Sequence, residues 1–289
     1  MLGMAGYQAS LDYARNRPQG RPIGPEGKDA SRAQIRIIEH ADVKRMLLAQ
    51  KSWCEGSLAL LLYCARLVDE QHTGPAEQAD EARILLEVLT PIAKSWPSEW
   101  CLEANSLAIQ IHGGYGYTRD FPVEQYWRDN RLNMIHEGTH GIQALDLLGR
   151  KVLMEDGRGM KLLAARMMAT IARAEAGAQG SGQAELHAWA RELGQALQRV
   201  GGATRAAWST GHPTDALANA VPYMQAFGHT VLAWIWLDVA LHCGDDLASQ
   251  GRLRAAQYFF RYELPKIDAW LRVVESRDDT CATFPEEAF

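Results

Sequence analysis

From Ile35 to Glu70 the apolar residues fall three and four positions apart: Ile35, Ile38, Val43, Met46, Leu47, Trp53, Leu58, Leu61, Leu62, Ala65 and Val68. That spacing gathers them on one wide face of a helix. Nowhere in the chain does the two-residue alternation of a half-buried strand persist beyond about four or five positions. Such a pattern folds as helices packed on helices. The expected class is all-α, an antiparallel helical bundle followed by a second helical module. Gly56 sits inside the first long helix at a cost of about 1 kcal/mol. Gly74-Pro75 ends it. A second long helix is expected from Ala76 to Ile111, with a kink or break near Ser95-Trp96-Pro97, because Pro91 and Pro97 each remove an amide donor.

The texture changes at His112-Gly113-Gly114-Tyr115-Gly116-Tyr117, which is too rich in glycine to continue a helix. Pro122 suits the first position of a helix over Val123 to Leu132. A non-helical stretch follows near Asn133 to Thr139, then a helix carrying Ile142, Leu145, Leu147, Leu148 and Val152. Asp156-Gly157-Arg158-Gly159 reads as a tight turn and divides the chain into 1–155 and 156–289. Beyond it helices are expected over Met160–Ala176, Ala184–Trp208, Asp215–Leu247 and Arg252–Ser276, with a flexible connection at Gly177 to Gly182.

At 289 residues and 47% hydrophobic, the chain is able to bury a substantial core. A net charge of −5 lacks the basic excess that neutralises phosphates, so no nucleic-acid partner is expected. The most apolar stretch, Thr230 to Cys243, is interrupted by Asp238 and is too short for a bilayer span. No membrane partner is expected. Met1 to Ala9 lacks a charged segment of the signal-peptide kind, and the expected location is cytoplasmic. Five cysteines without a C-x-x-C pattern read as free thiols.

His136-Glu137-Gly138-Thr139-His140 matches H-E-x-x-H, in which two histidines on one helix face bind zinc and the Glu is a general base. Gly138 and Gly141 oppose the helix that this geometry requires. The same string also reads as a loop in which Thr139 caps the next helix and Gly138 lets a ligand approach the backbone. A carboxylate walled by apolar groups there has a raised pKa and acts as a base toward a weakly acidic C–H; an exposed loop carboxylate does neither. Gly113-Gly114-x-Gly116 follows no strand and is not a Rossmann fingerprint. Arg15, Arg17 and Arg21 suit either a phosphate or a solvated helix end. Trp96, Trp100, Trp127, Trp234 and Trp236 read as core and interface anchors.

Taken in order, Gln110-Ile111-His112-Gly113-Gly114-Tyr115-Gly116-Tyr117, Phe121-Pro122-Val123-Glu124, Trp127-Arg128-Asp129 and Ile135-His136-Glu137-Gly138-Thr139 resemble the carboxyl-terminal domain of acyl-CoA dehydrogenases. The resemblance covers roughly residues 1–155. Residues 156–289 are similar to the extra helical module of a longer subfamily that includes methylthiopropanoyl-CoA dehydrogenases. Lys94-Ser95-Trp96-Pro97-Ser98-Glu99-Trp100 also fits that subfamily.

The resemblance implies a flavoenzyme that uses FAD and an acyl-CoA. Glu137 removes the α-proton while the flavin accepts a hydride from the β-carbon. Hydrogen bonds to the thioester carbonyl, including one from the base's own N–H, make that proton acidic. It implies that Arg17 reaches the FAD pyrophosphate, that Gln110, Gly113 and Gly114 hold the adenine half of a neighbouring subunit's FAD, and that Gly138 and Thr139 make the contact after the base. A homo-oligomer follows, or a partner supplying further domains. His136 replaces the family's usual Tyr, Gly141 replaces a Gln, and Arg17-Pro18-Gln19-Gly20 is one residue shorter than the usual Arg-x-x-Phe-Gly. The family's N-terminal and middle β-domains, which complete the flavin and acyl sites, have no counterpart in this sequence. That departure keeps a second expectation open, a non-catalytic helical oligomerisation or binding module. A zinc hydrolase on His136, Glu137 and His140 is the third.

Overall fold

The computed structural model describes residues 1–25, 27–136, 138–176 and 183–289. The expected connection at 177–182 therefore lies outside the described residues. In chain order the elements are α1 (Leu2–Asn16), the paired strands β1 (Ile23–Gly24) and β2 (Gly27–Lys28), α2 (Ala41–Thr73), α3 (Ala76–His112), α4 (Val123–Arg131), α5 (His140–Asp146), α6 (Met154–Ala176), α7 (Gln183–Ala207), α8 (Pro213–Leu217), α9 (Ala220–Leu241), α10 (Leu247–Tyr258) and α11 (Ile267–Glu275). The fold is all-α, as the periodicity requires; β1 and β2 form only a two-rung antiparallel ladder, Ile23 with Lys28 and Gly24 with Gly27. No helix among the described residues is long and apolar enough to cross a membrane.

The chain divides into two compact units. The first comprises Met1–Glu55 and Pro97–His136. Its core is Tyr7, Ala14, Ile37, Met46, Leu47 and Ile111, with Met4, Leu11 and Leu107 packed around them. After α1 the segment Arg17–Gly20 runs antiparallel to Ile35–Ile37. The Gln19 N–H donates to Ile35 O at 2.9 Å, and the Ile37 N–H donates to Arg17 O at 2.8 Å. These bonds are why the helix expected from Ile35 begins only at Ala41. Residues Ile37–Glu39 form a 3-10 turn, and the Glu39 carboxylate accepts the Arg36 N–H at 3.3 Å. Pro122 stands just before α4 as its cap rather than as its first residue.

The second unit comprises Gly56–Trp96 and the chain beyond His136. Helix α9 is buried on nearly every side, Tyr223 through Leu237, and packs against α7 and α11 among others. A helix apolar all round belongs at a centre, so the stretch that most resembles a membrane segment is the core of this unit. The expected helix Asp215–Leu247 is two helices instead. It breaks after Leu217 between α8 and α9, and it stops at Leu241. The expected helix Arg252–Ser276 is interrupted by a π-helical turn at Phe259–Glu263 and a 3-10 turn at Leu264–Lys266 that takes up Pro265. Another π-helical turn follows α5 at Leu147–Lys151. Helix α3 passes through Pro91 and Pro97 without the expected break. In its second-unit portion Val88, Leu89, Ile92 and Trp96 are buried, and burial at about 1.5–3 kcal/mol per large side chain outweighs the lost amide donor of Pro91.

The turn expected at 156–159 is present, one residue earlier. Glu155, Asp156 and Gly157 take left-handed backbone angles, with φ of 49°, 55° and 73°. Arg83 and Arg158 each reach both Asp80 and Glu155, at 2.6–3.0 Å, closing a ring of four charges around the turn. Hydrogen bonds from Arg83 and Arg158 hold both carboxyls below their usual pKa range. Trp96, Trp234 and Trp236 are core residues of the second unit, whereas Trp127 is 36% exposed. The five cysteines are free thiols.

Gly56 owes its identity to Trp236. A Cβ there would lie 2.8 Å from the buried Trp236 Nε1. Gly56→Ala is expected to destabilise the protein by about 1–3 kcal/mol despite its better helix propensity. At Gly201, inside α7, the nearest atom to such a Cβ is Arg205 Nη1 at 3.7 Å. Gly201→Ala is expected to stabilise by up to about 1 kcal/mol. Urea melts of the two variants check the contrast.

Two buried histidines give stability a pH dependence of known sign. Burial holds His112 and His229 below the usual imidazole pKa, so both are neutral in the fold. In the unfolded chain they take protons near about pH 6.5. The unfolded state then binds more protons, and unfolding free energy falls as pH drops through and below that value. His112→Gln and His229→Gln are each expected to reduce this slope by up to about one proton, measured by denaturant unfolding between neutral and mildly acidic pH.

Candidate functional site

Helix α1 ends at Arg17, whose N–H still donates to Tyr13 O at 2.9 Å while its own backbone is extended. Pinned there and by the bond from Ile37, the half-buried Arg17 side chain lies beside a cavity of about 520 Å³. Asp12, Tyr13, Asn16, His112 and Phe121 line the same cavity. Its aromatic wall is built by stacking. Tyr13 and His112 lie 4.3 Å apart at 25°, and Phe121 meets Tyr13 edge-on at 5.3 Å. The Arg17 guanidinium sits 5.8 Å from the Tyr115 ring centroid. Arg17 Nε is buried and has no hydrogen-bond partner among the described residues. A buried guanidinium N–H left unpaired costs more than a neutral donor would, so this group is poised for an anionic acceptor.

His112 closes α3, donating from Nδ1 to Ala108 O at 2.7 Å, which leaves Nε2 unprotonated in the neutral ring. Gln110 is exposed on the last turn of α3, and the exposed pair Gly113-Gly114 follows. Gly113 has φ +61°, the left-handed conformation that commonly ends a helix. Gly114 has no such constraint, and a Cβ there would meet nothing within 4 Å. No steric contact among the described residues requires glycine at 114, and the space over it is open. Arg17 and the 113–117 loop are thus brought together through Tyr115 in the first unit, with Gln110 one turn behind.

Glu137 lies outside the described residues. His136, before it, is in the turn that follows the 3-10 helix Leu132–Met134, and its N–H donates to Leu132 O at 3.2 Å. Gly138, in the second unit, has φ +100°, and a Cβ there would come within 2.7 Å of Gln143 Nε2. Thr139 takes the expected cap position of α5. Its carbonyl accepts the Gln143 N–H at 3.0 Å, but its hydroxyl makes no capping bond, so the side chain is left exposed. Helix α5 starts at His140 and His136 precedes it in a turn, so the two histidines do not share the helix that an H-E-x-x-H zinc site requires. Among the described residues no group of three or more His, Cys, Asp or Glu is arranged to hold a metal ion.

Sequence reasoning did not find the aromatic wall. Its only local signal is Tyr13 one helical turn before Arg17; His112 and Phe121 come from about a hundred residues away. It also passed over the Asn130, Asn133, His136 series, spaced by three.

Comparison with known proteins gives the arrangement its context. Residues 28–153 match the sequence model of the acyl-CoA dehydrogenase C-terminal domain, and residues 163–285 match that of the acetyl-CoA dehydrogenase C-terminal-like domain. The chain is 36% identical to 3-methylmercaptopropionyl-CoA dehydrogenase of Ruegeria pomeroyi over 85% of its own length and 40% of the relative's. It is 27% identical to a broad-specificity linear acyl-CoA dehydrogenase of Mycobacterium tuberculosis over 98% of its length and 49% of the relative's. Two solved structures share the fold with a TM-score of 0.70. They are Caenorhabditis elegans ACDH-11 in complex with C11-CoA, at 19% identity and covering 98% of this chain and 45% of that one, and an acyl-CoA dehydrogenase from Bacillus anthracis complexed with FAD, at 15% identity and covering 99% and 47%. The chain spans about half the length of the curated relatives it matches. It belongs to the acyl-CoA dehydrogenase family and corresponds to the carboxyl-terminal part of that family's proteins.

Proposed function

We propose that the chain acts as the carboxyl-terminal part of an FAD-dependent acyl-CoA dehydrogenase, which forms a double bond between the α- and β-carbons of an acyl thioester. The observation that carries this reading is the buried, unpaired Nε of Arg17 beside an aromatic cavity. It fits a group with both phosphate charge and flat rings. The open space over Gly114 supports the same conclusion. Arg17 would hold the pyrophosphate of FAD, Gln110, Gly113 and Gly114 the adenine half of a neighbouring subunit's FAD, and Gly138 and Thr139 would make the FAD contact that follows the base. When bound, FAD supplies the hydride acceptor. Glu137 takes the α-proton of the acyl-CoA onto its carboxylate. The exposed Thr139 hydroxyl, free of capping duty, is available as a donor.

The related proteins are named for acyl-CoA substrates, and the chain covers about half of each. Assembly with further domains or with a second copy is therefore part of the proposal. Leu58, Leu61, Leu62 and Val68 support it, because they form an exposed apolar stripe on α2. We also place a boundary near residue 155. The two family models stop and start on either side of it, and the left-handed turn falls there. An oligomerisation module without catalysis is the alternative reading, and catalysis itself separates the two.

The chain is mixed with FAD, an acyl-CoA and a polypeptide carrying the family's N-terminal and middle domains, and flavin bleaching is followed. Wild type is expected to bleach and Glu137→Gln to remain yellow; equal bleaching by both removes Glu137 from the reaction. Arg17→Ala is expected to weaken FAD binding about 10- to 100-fold, the worth of one hydrogen bond to a charged group, as measured by flavin fluorescence titration. Unchanged affinity would refute the role given to Arg17.

A further inference from the structure

In the first unit three asparagines and one histidine form a single line of hydrogen bonds. Asn105 Nδ2 donates to Leu2 O at 3.0 Å. Asn130 Nδ2 donates to Asn105 Oδ1 at 2.8 Å, and Asn133 Nδ2 donates to Asn130 Oδ1 at 2.8 Å. His136 Nε2 lies 3.1 Å from Asn133 Oδ1. The inner members are built into the core, Asn105 fully buried and Asn130 3% exposed. Helix α1 makes room for the first amide, since a methyl group on Gly6 would collide with Asn105 Nδ2.

The line has a direction. A backbone carbonyl only accepts, an amide oxygen only accepts and an amide NH2 only donates. Leu2 O therefore demands the NH2 of Asn105. That turns the Asn105 oxygen toward Asn130, and the same logic turns the Asn130 oxygen toward Asn133 and the Asn133 oxygen toward His136. The last acceptor requires a proton on His136 Nε2. Flipping Asn105 or Asn130 sets donor against donor on one side and acceptor against acceptor on the other, and flipping Asn133 sets its oxygen against that of Asn130; each disfavours the flipped form about tenfold or more.

We propose that Asn105, Asn130 and Asn133 are positioning residues that lock the His136 ring in one orientation, with the proton on Nε2. This anchors the chain at the residue immediately before Glu137. The anchor is fixed to the start of α1, through α3 and α4, rather than to the exposed turn itself. Its value for catalysis rests on the reading of Glu137 as the base. Hydrogen bonding of the ring extends back over three asparagine side chains.

The test uses the full chain with 15N-labelled histidine, His136 being assigned by the signals lost in His136→Gln. Wild type is expected to show a protonated Nε2, an unprotonated Nδ1 and an Nε2–H that exchanges slowly enough to be seen at neutral pH. Asn133→Leu, at an exposed position, is expected to lose the Nε2–H signal and move both nitrogens toward averaged values. Asn130→Asp, which does not touch His136, is expected to shift the same nitrogens. An Nδ1–H form in wild type, or a spectrum of Asn133→Leu that superposes on wild type, overturns the lock. In the bleaching assay Asn133→Leu is expected to lower kcat about tenfold with KM within about twofold. Asn133→Asp, which keeps an acceptor for His136, is expected to recover most of the loss. Unchanged turnover alongside released nitrogens overturns the positioning role. A wild type that fails to bleach counts against the proposed dehydrogenase function instead, and the nitrogen spectra still decide the lock.

Discussion

The buried amide of Asn105 is the constraint on which the first unit depends. A polar group removed from water has to be satisfied on both its donor and acceptor sides, and a failure costs about 1–3 kcal/mol. Asn105 meets that demand with the Leu2 carbonyl at the start of α1 and with Asn130 on α4. Three helices are thereby set against one another by a single side chain. Helix α1 so placed delivers Arg17 to the cavity, α3 delivers the Gly113-Gly114 turn, and α4 delivers His136. Apolar burial supplies more free energy than these bonds, but it is non-directional and tolerates sliding. The amide does not.

The second unit is organised on a different principle. Helix α9 has no exposed polar face, so its neighbours cover it from several sides; of the charged groups in this unit, Glu263 and Lys151 are buried, each beside an opposite charge. The ring of Asp80, Arg83, Glu155 and Arg158 is largely exposed, where ion pairs contribute little on their own. Its position matters more than its energy. It surrounds two non-glycine residues in left-handed backbone conformation, which unsupported would cost about 1–2 kcal/mol each.

Much of this was legible in the sequence, for reasons that also explain the rest. The long helices announce themselves because burial on one face imposes a period on many residues at once. Their ends do not. The start of α2 is decided by the pairing of Ile35–Ile37 with Arg17–Gly20, a contact invisible to periodicity. The π-helical turns at 147–151 and 259–263 keep the composition of ordinary helix and leave no mark on the pattern. Pro91 and Pro97 do not break α3, because local propensity yields to tertiary burial. The site divides the same way. The Gly113-Gly114 and Gly138-Thr139 strings are local and could be read; the wall of Tyr13, His112 and Phe121 assembles from distant segments and could not.

The directionality of the asparagine ladder has a consequence for how the protein ages. Spontaneous hydrolysis of an asparagine side chain replaces a donating NH2 with an oxygen that, once ionised, only accepts. Most such changes on a protein surface add a charge and nothing more. At the exposed Asn133 the change would place an acceptor against the Asn130 oxygen while leaving the bond to His136 in place. The inner part of the ladder would lose its outermost donor, and the imidazole would gain a carboxylate neighbour. A one-dalton lesion would alter the electrostatic setting of the residue next to the candidate base.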